Sequence, residues 1–219
     1  GTSDPFGLRR NTLALLSIVR ECALDIDLRQ AFRTAMGIYG EMIPEPEAAV
    51  EGLLQFVKDR LAVINREEGI PYDYVAAAIA PHGHRPVQVR NCLSAMAGLE
   101  EGQVQNLAEQ TKRIQRIAKD PAPKIDPALL DENEKALFEI SNSPSATVLA
   151  HVASGKFGEA FSELLSWMPV IQAYFEEVFV NHDDDRIRRN RHALLNAVYG
   201  VILAVADLTQ IEKKETVSE

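Results

Sequence analysis

The segment Asp183-Asp184-Asp185-Arg186-Ile187-Arg188-Arg189-Asn190-Arg191-His192 opens a run that continues with one regular period to Val205. Ile187, Leu194, Val198, Ile202 and Val205 recur at three-, four- and seven-residue spacings. At about 100° per residue these positions gather on one side of a helix. Three carboxylates just ahead of that helix suit its free amides and its dipole, so they read as a cap rather than as a hard-cation site. The four arginines do not share a face. Arg191 falls inside the apolar stripe and Arg188 near its edge, whereas Arg189 points nearly opposite and Arg186 lies on the far flank. A buried guanidinium demands a paired acid. Arg188 and Arg191 are therefore expected in structural ion pairs, leaving Arg186 and Arg189 as the candidates for phosphate contact.

The same period runs through the rest of the chain, and no stretch alternates as a strand would. Asp4-Pro5 reads as a capping residue before a first-turn proline, ahead of Leu8, Thr12, Leu15, Leu16 and Val19. A second helix is expected over 27–39, ending at Gly40. A longer one follows Pro44-Glu45-Pro46-Glu47, lined by Leu53, Leu54, Val57, Leu61 and Ile64 and stopping at Gly69. Pro71 begins a short helix to Ala80, and Pro81-His82-Gly83-His84-Arg85-Pro86 reads as a turn. Further helices are expected over 87–97, 103–119, 127–140, 144–154, 156–180 and 183–209. The fold class is all-α, a multi-helix bundle of nine or ten helices without a fixed repeat. The expected organisation is an N-terminal helical segment (1–45), a helical body (46–119), a proline-rich linker (120–127), a terminal helical domain (128–211) and a frayed tail (212–219).

The composition narrows the function classes. The 219 residues are 46% hydrophobic and 25% charged, which excludes a wholly disordered chain. Cys22 and Cys92 are too few for a disulfide scaffold or a four-thiolate zinc site and suit a reducing compartment, so a cytoplasmic location is expected. No apolar run approaches the roughly 20 residues of a membrane span. The start has neither Met nor a signal-peptide pattern, which suits a piece of a longer protein. With 23 Lys+Arg against 32 Asp+Glu, the net charge of −9 opposes general binding to polyanions. A nucleic-acid contact then requires a locally basic face.

One such face is legible. Lys112, Arg113, Arg116 and Lys119 fall within about 120° of one another, opposite Val104, Leu107, Ile114 and Ile117. They read either as a phosphate-contacting stripe or as a solvated face with cations near a helix C-terminus, where the dipole favours them. His82 and His84 lack a third ligand at a recognised spacing, so a solvated loop is the better reading and no metal site is expected. A helical hydrolase with a metal held by these histidines and the aspartates is the remaining enzymatic alternative. Trp167, Met168, Tyr174, Phe175 and Phe179 recur at helical spacing and are expected in a packed core. There is no Gly-rich phosphate loop, nucleophile elbow or Cys–base pair, and no catalytic residue is expected.

The C-terminal third resembles the anticodon-binding domain of the family that includes bacterial glycyl-tRNA synthetase beta subunits and arginyl-tRNA synthetases. The matching string is Met168-Pro169-Val170, then Tyr174-Phe175-Glu176-Glu177-Val178-Phe179-Val180. It continues as Asp184-Asp185-x-Ile187-Arg188-x-Asn190-Arg191-x-Ala193-Leu194-Leu195 and closes on Val205-Ala206-Asp207-Leu208. Asp4-Pro5-Phe6-Gly7-Leu8-Arg9-Arg10 looks like a segment of the beta subunits alone, and Leu54 to Lys119 is similar to their helical body. Gly7 departs from a more usual alanine, Thr209-Gln210 from serine and leucine, and 141–145 does not align.

The resemblance implies a C-terminal helical anticodon-binding bundle of the DALR type preceded by part of the helical body. It implies a tRNA-binding portion of a class II glycine–tRNA ligase that is itself non-catalytic. Glycine-accepting tRNA and the alpha subunit would be its partners, with no membrane or DNA. ATP and Mg would be bound by the alpha subunit, with no cofactor here. Lys112, Arg113, Arg116, Lys119, Arg186 and Arg189 would then meet tRNA phosphates. Arg9 and Arg10 are either RNA contacts or partners of acids. The alternative from another class is an all-α protein-interaction scaffold without RNA binding.

Overall fold

The structure, a computed structural model, describes residues 4, 6–118 and 124–213. Among these residues there is no strand, and ten α-helices follow one another through short connections. The fold is an all-α multi-helix bundle. The chain forms two compact units that divide between Ser94 and Ala95.

The first unit contains α1 (Leu8–Glu21), α2 (Leu28–Tyr39), α3 (Pro46–Glu67), α4 (Tyr72–His82) and most of α5 (Pro86–Ala97). Asp27 caps α2 by accepting from the Gln30 amide at 3.2 Å, and Gly40 ends it at a φ of +54°, which a side chain would resist. Pro46 opens α3 at a position where its missing amide costs nothing. Helix α3 is the centre of this unit and touches α1, α2 and α4 through Val50, Leu54, Val57 and Leu61, all at most 3% exposed. Leu53, expected on that stripe, is instead exposed, and Val50 takes its place one turn earlier.

Two helix ends differ from the sequence expectation. Helix α1 begins at Leu8 rather than after Asp4, behind a Gly7 whose φ of +67° belongs to the left-handed region. Asp4 still serves the first turn, because its carboxylate accepts from the Arg9 amide at 3.1 Å; Pro5 lies outside the described residues. Helix α4 runs through Pro81 to His82, so the expected turn shrinks. His82 is buried at 6% exposure rather than solvated. Gly83 follows at the close approach of α3: a Cβ there would lie 2.6 Å from Lys58 Cγ and 2.8 Å from the Ile79 carbonyl.

The second unit contains α6 (Glu101–Ile117), α7 (Glu132–Ile140), α8 (Ser143–Ala153), α9 (Phe157–Glu177) and α10 (Asp185–Val205). Helices α9 and α10 form its core, and both pack against α6, α7 and α8 as well as each other. Phe157, Phe161, Leu164, Trp167, Ile171 and Tyr174 of α9 are at most 1% exposed, as are Leu194, Leu195, Val198, Ile202 and Val205 of α10. Trp167, Met168 and Tyr174 are core, as expected; Phe175 is half-buried and Phe179 is 71% exposed. The helix expected from Pro127 is corrected to two pieces. Residues Pro127–Leu129 form a 3-10 turn capped by Asp126, and α7 starts at Glu132 behind an Asp131–Glu134 capping box.

Candidate nucleic-acid interface

Helix α6 begins with a reciprocal Glu100–Gln103 cap and buries Val104, Leu107, Ala108, Thr111 and Ile114. The opposite face carries the cations. Arg113 lays its guanidinium 4.2 Å from the centroid of the half-buried Phe175 ring, which fixes a planar charge at the surface. Arg116 is exposed, and among the described residues no carboxylate pairs with it or with Arg113. The Lys112 ammonium donates to the Ile211 carbonyl, and Gln105 donates to the Glu212 carbonyl at 3.1 Å. These bonds tie residues beyond the 3-10 turn Leu208–Gln210 onto α6. Lys119 lies outside the described residues.

This face borders a concavity of about 530 Å³ lined by Gln105, Glu109, Lys112, Arg113, Arg116 and Lys213 among others. Among the described residues Glu109 is its sole carboxylate, and it lies 3.7 Å from Lys213. Among the described residues the hollow carries four cations and one acid, a locally basic surface on a chain of net charge −9. The sequence missed Lys213, which looked like frayed tail, and the Phe175 stack, which no periodicity announces.

At the start of α10 the arginines divide by face. Asp184 caps the helix, accepting from the Arg186 amide at 2.8 Å. That bond, followed by the Arg186 guanidinium at 3.4 Å, holds its carboxyl below the ordinary carboxylate range. Arg189 pairs with Asp185 at 2.6 Å and remains 67% exposed, while Arg186 is 78% exposed. Arg188 donates to the His182 carbonyl at 3.1 Å and to Asp185. Arg191 is buried. It pairs with Glu134, with Asp131 at 3.0 Å, and donates to the Phe179 carbonyl at 2.8 Å.

The remaining candidates lie on other elements. Arg9 and Arg10 belong to the first unit, Arg9 half-buried and Arg10 exposed on α1. His84 is partly buried, which lowers its pKa, and its carbonyl accepts from the Leu28 amide at 2.8 Å. Cys92 is buried, and desolvation pushes its thiol up to about 12, far from reactive. Among the described residues no three His, Cys, Asp or Glu side chains gather as metal ligands, and no helix is long and apolar enough to cross a membrane.

A family model described as the glycyl-tRNA synthetase beta subunit matches residues 1–80. The beta subunit of glycine–tRNA ligase from Hahella chejuensis is 32% identical over 98% of this chain and 32% of its own length. Those from Chromohalobacter salexigens and Clostridioides difficile are each 30% identical, over 97% and 98% of this chain and 32% of their own lengths. Over nearly its whole length the chain is similar to glycyl-tRNA synthetase beta subunits. It spans about a third of the length of these curated relatives.

Within that family likeness, the string Arg188-x-Asn190-Arg191 does structural work. Arg188 holds the His182 carbonyl, Arg191 holds Glu134 and Asp131, and Asn190 exchanges two hydrogen bonds with the backbone of Asp126 at 2.7 and 3.0 Å. The residues that make the family visible clamp α10 to α7 and to the 124–126 segment. The cations left over for a ligand, Arg186 and Arg189, stand outside that string.

Proposed function

We propose that this chain serves glycyl-tRNA synthesis by holding tRNA, as the RNA-binding portion of a glycine–tRNA ligase beta subunit. The observation that carries the reading is the cationic hollow of α6, joined in the same unit by the exposed Arg186 and Arg189, on an otherwise acidic chain. Lys112, Arg113, Arg116, Arg186 and Arg189 would position phosphates of the anticodon stem-loop, with Lys119 a further candidate from its charge alone. The second unit would be the DALR-type anticodon-binding bundle. Holding the anticodon end fixes where the acceptor end lies, so the contribution to catalysis is orientation rather than chemistry. Aminoacylation itself, with ATP and its Mg, belongs in this reading to the alpha subunit of a cytoplasmic class II enzyme, and no residue here is assigned a catalytic role. An acidic remainder adds selectivity, since it repels polyanions that do not match the basic face.

Filter binding of native and anticodon-swapped glycine tRNA at low and moderate salt tests this reading. Salt-sensitive binding that weakens on the swap supports it, and equal affinity for both forms defeats sequence reading by this chain.

A second reading has its own observation. Among the described residues, thirteen of the fifteen exposed large hydrophobic side chains, including Phe6, Leu8, Ile18, Ile38 and Met42, lie in the first unit. Such a surface suits a protein partner. An all-α interaction scaffold without RNA binding would show a stable protein partner in pull-downs and no tRNA binding at any salt concentration.

A further inference from the structure

Phe179 is the one aromatic ring of the second unit that stands exposed among the described residues. It follows the end of α9 at Glu177, where Val178 takes an extended backbone with φ −110° and ψ 119°. In extended chain successive side chains point to opposite sides. Val178 and Val180 are accordingly buried at 7% each, and Phe179 between them points out. The backbone around it is fixed from within. Its carbonyl accepts from the buried Arg191, the Val178 amide bonds to the Tyr174 carbonyl at 2.9 Å, and the Val180 carbonyl accepts from His182 at 2.9 Å. The His182 carbonyl is held in turn by Arg188. A ring displayed on so constrained a segment has little backbone freedom left to lose on binding.

Its surroundings favour one kind of partner. The only other exposed large hydrophobic residue described in this unit is Leu149 on α8, so Phe179 is not part of a broad apolar docking patch. The chain beyond it carries Arg186 and Arg189, both exposed and paired only with the exposed carboxylates of Asp184 and Asp185. Exposed ion pairs of this kind contribute little to stability, so the guanidiniums can exchange carboxylate for phosphate at small cost. Arg191 bonds the Phe179 backbone to the helix that carries these cations, and an exposed ring on a segment leading into exposed cations suits an unstacked base: the π-face receives the base and the cations take the backbone.

Resting on the reading of this chain as a tRNA holder, we propose that Phe179 is a stacking platform for one unpaired base of the anticodon loop, with Arg186 and Arg189 receiving neighbouring phosphates. The base occupies the exposed ring face and no covalent step is involved.

The test uses the 219-residue chain and an anticodon stem-loop of glycine-accepting tRNA carrying 2-aminopurine at successive loop positions. The parent chain should bind with a fluorescence change confined to one or two loop positions. Phe179→Ala should weaken binding by about tenfold and abolish that change, with the salt slope unaltered because no charge is lost. Phe179→Trp should retain both, and all three proteins should melt at the same temperature. Phe179→Ala binding within twofold of the parent, with the same fluorescence change, overturns the platform while leaving the RNA-binding reading intact. No binding by the parent chain at low salt overturns that reading, and the platform with it.

Discussion

Arg191 and Glu134 form an ion pair whose side chains are 8% and 1% exposed, and it ties α10 to α7 at the end of the unit where Phe179 is displayed. Removing one partner strands the other charge out of water, which is worse than losing the attraction alone. Arg191→Ala is therefore expected to lower the unfolding free energy by about 3–5 kcal/mol, read from urea denaturation. A double-mutant cycle with Glu134→Ala should return a coupling of at least about 1 kcal/mol. Additive losses would show that the two side chains stabilise independently.

Asn190 reads Asp126 as a strand neighbour would, accepting from its amide and donating to its carbonyl. Both bonds involve a side chain that is 4% exposed. Asn190→Ala leaves both backbone groups without that partner and should cost about 1–3 kcal/mol. Asn190→Asp keeps the acceptor and loses the donor. Amide exchange at Asp126 should therefore accelerate in Asn190→Ala and stay slow in Asn190→Asp, and equal rates in the two variants would refute the pairing.

How much of this was visible in the sequence depends on whether the deciding force is local. The helices were legible because each buries one stripe, and the wheel alone separated Arg191 from Arg189 within a single run of arginines. The wheel failed at Phe179 because it was extended past Glu177, where the helix ends and the side-chain period drops from 3.6 to 2. It failed at Leu53 for a smaller reason, a stripe centred one turn too late. Pro81 and Gly83 look like turn residues around His82, whereas α4 continues through the proline and packing buries the imidazole. Of the α6 site, the three cations Lys112, Arg113 and Arg116 could be seen. Lys213 and the Phe175 stack could not, since both are brought to α6 only by tertiary structure.

Burial lowers the pKa of His84, so the folded chain resists its protonation more than the unfolded chain does. The unfolded state then binds more protons just below the ordinary value of 6.5, and stability falls as the pH drops through that value. The fall levels off once the pH is below the lowered folded value. Urea midpoints between pH 7.5 and 5 should decline for the parent chain and decline less for His84→Gln. An identical decline in the variant would assign the effect to other groups.

Arg189 and Lys112 should fail in different ways when their charge is removed. Arg189 is exposed and held only by Asp185, so Arg189→Ala should change the unfolding free energy by less than about 0.5 kcal/mol. If it meets a phosphate, its loss should flatten the slope of log affinity against log salt by about 1. The loss should be equal for native and anticodon-swapped tRNA, because phosphate contacts carry no sequence information. Lys112 has a second duty, since its ammonium holds the Ile211 carbonyl beside the α6 hollow. Lys112→Met should therefore flatten the salt slope and also lower stability by about 1 kcal/mol. Loss of stability without loss of affinity in Arg189→Ala would make its pair with Asp185 a structural one and move the RNA contact elsewhere on the unit.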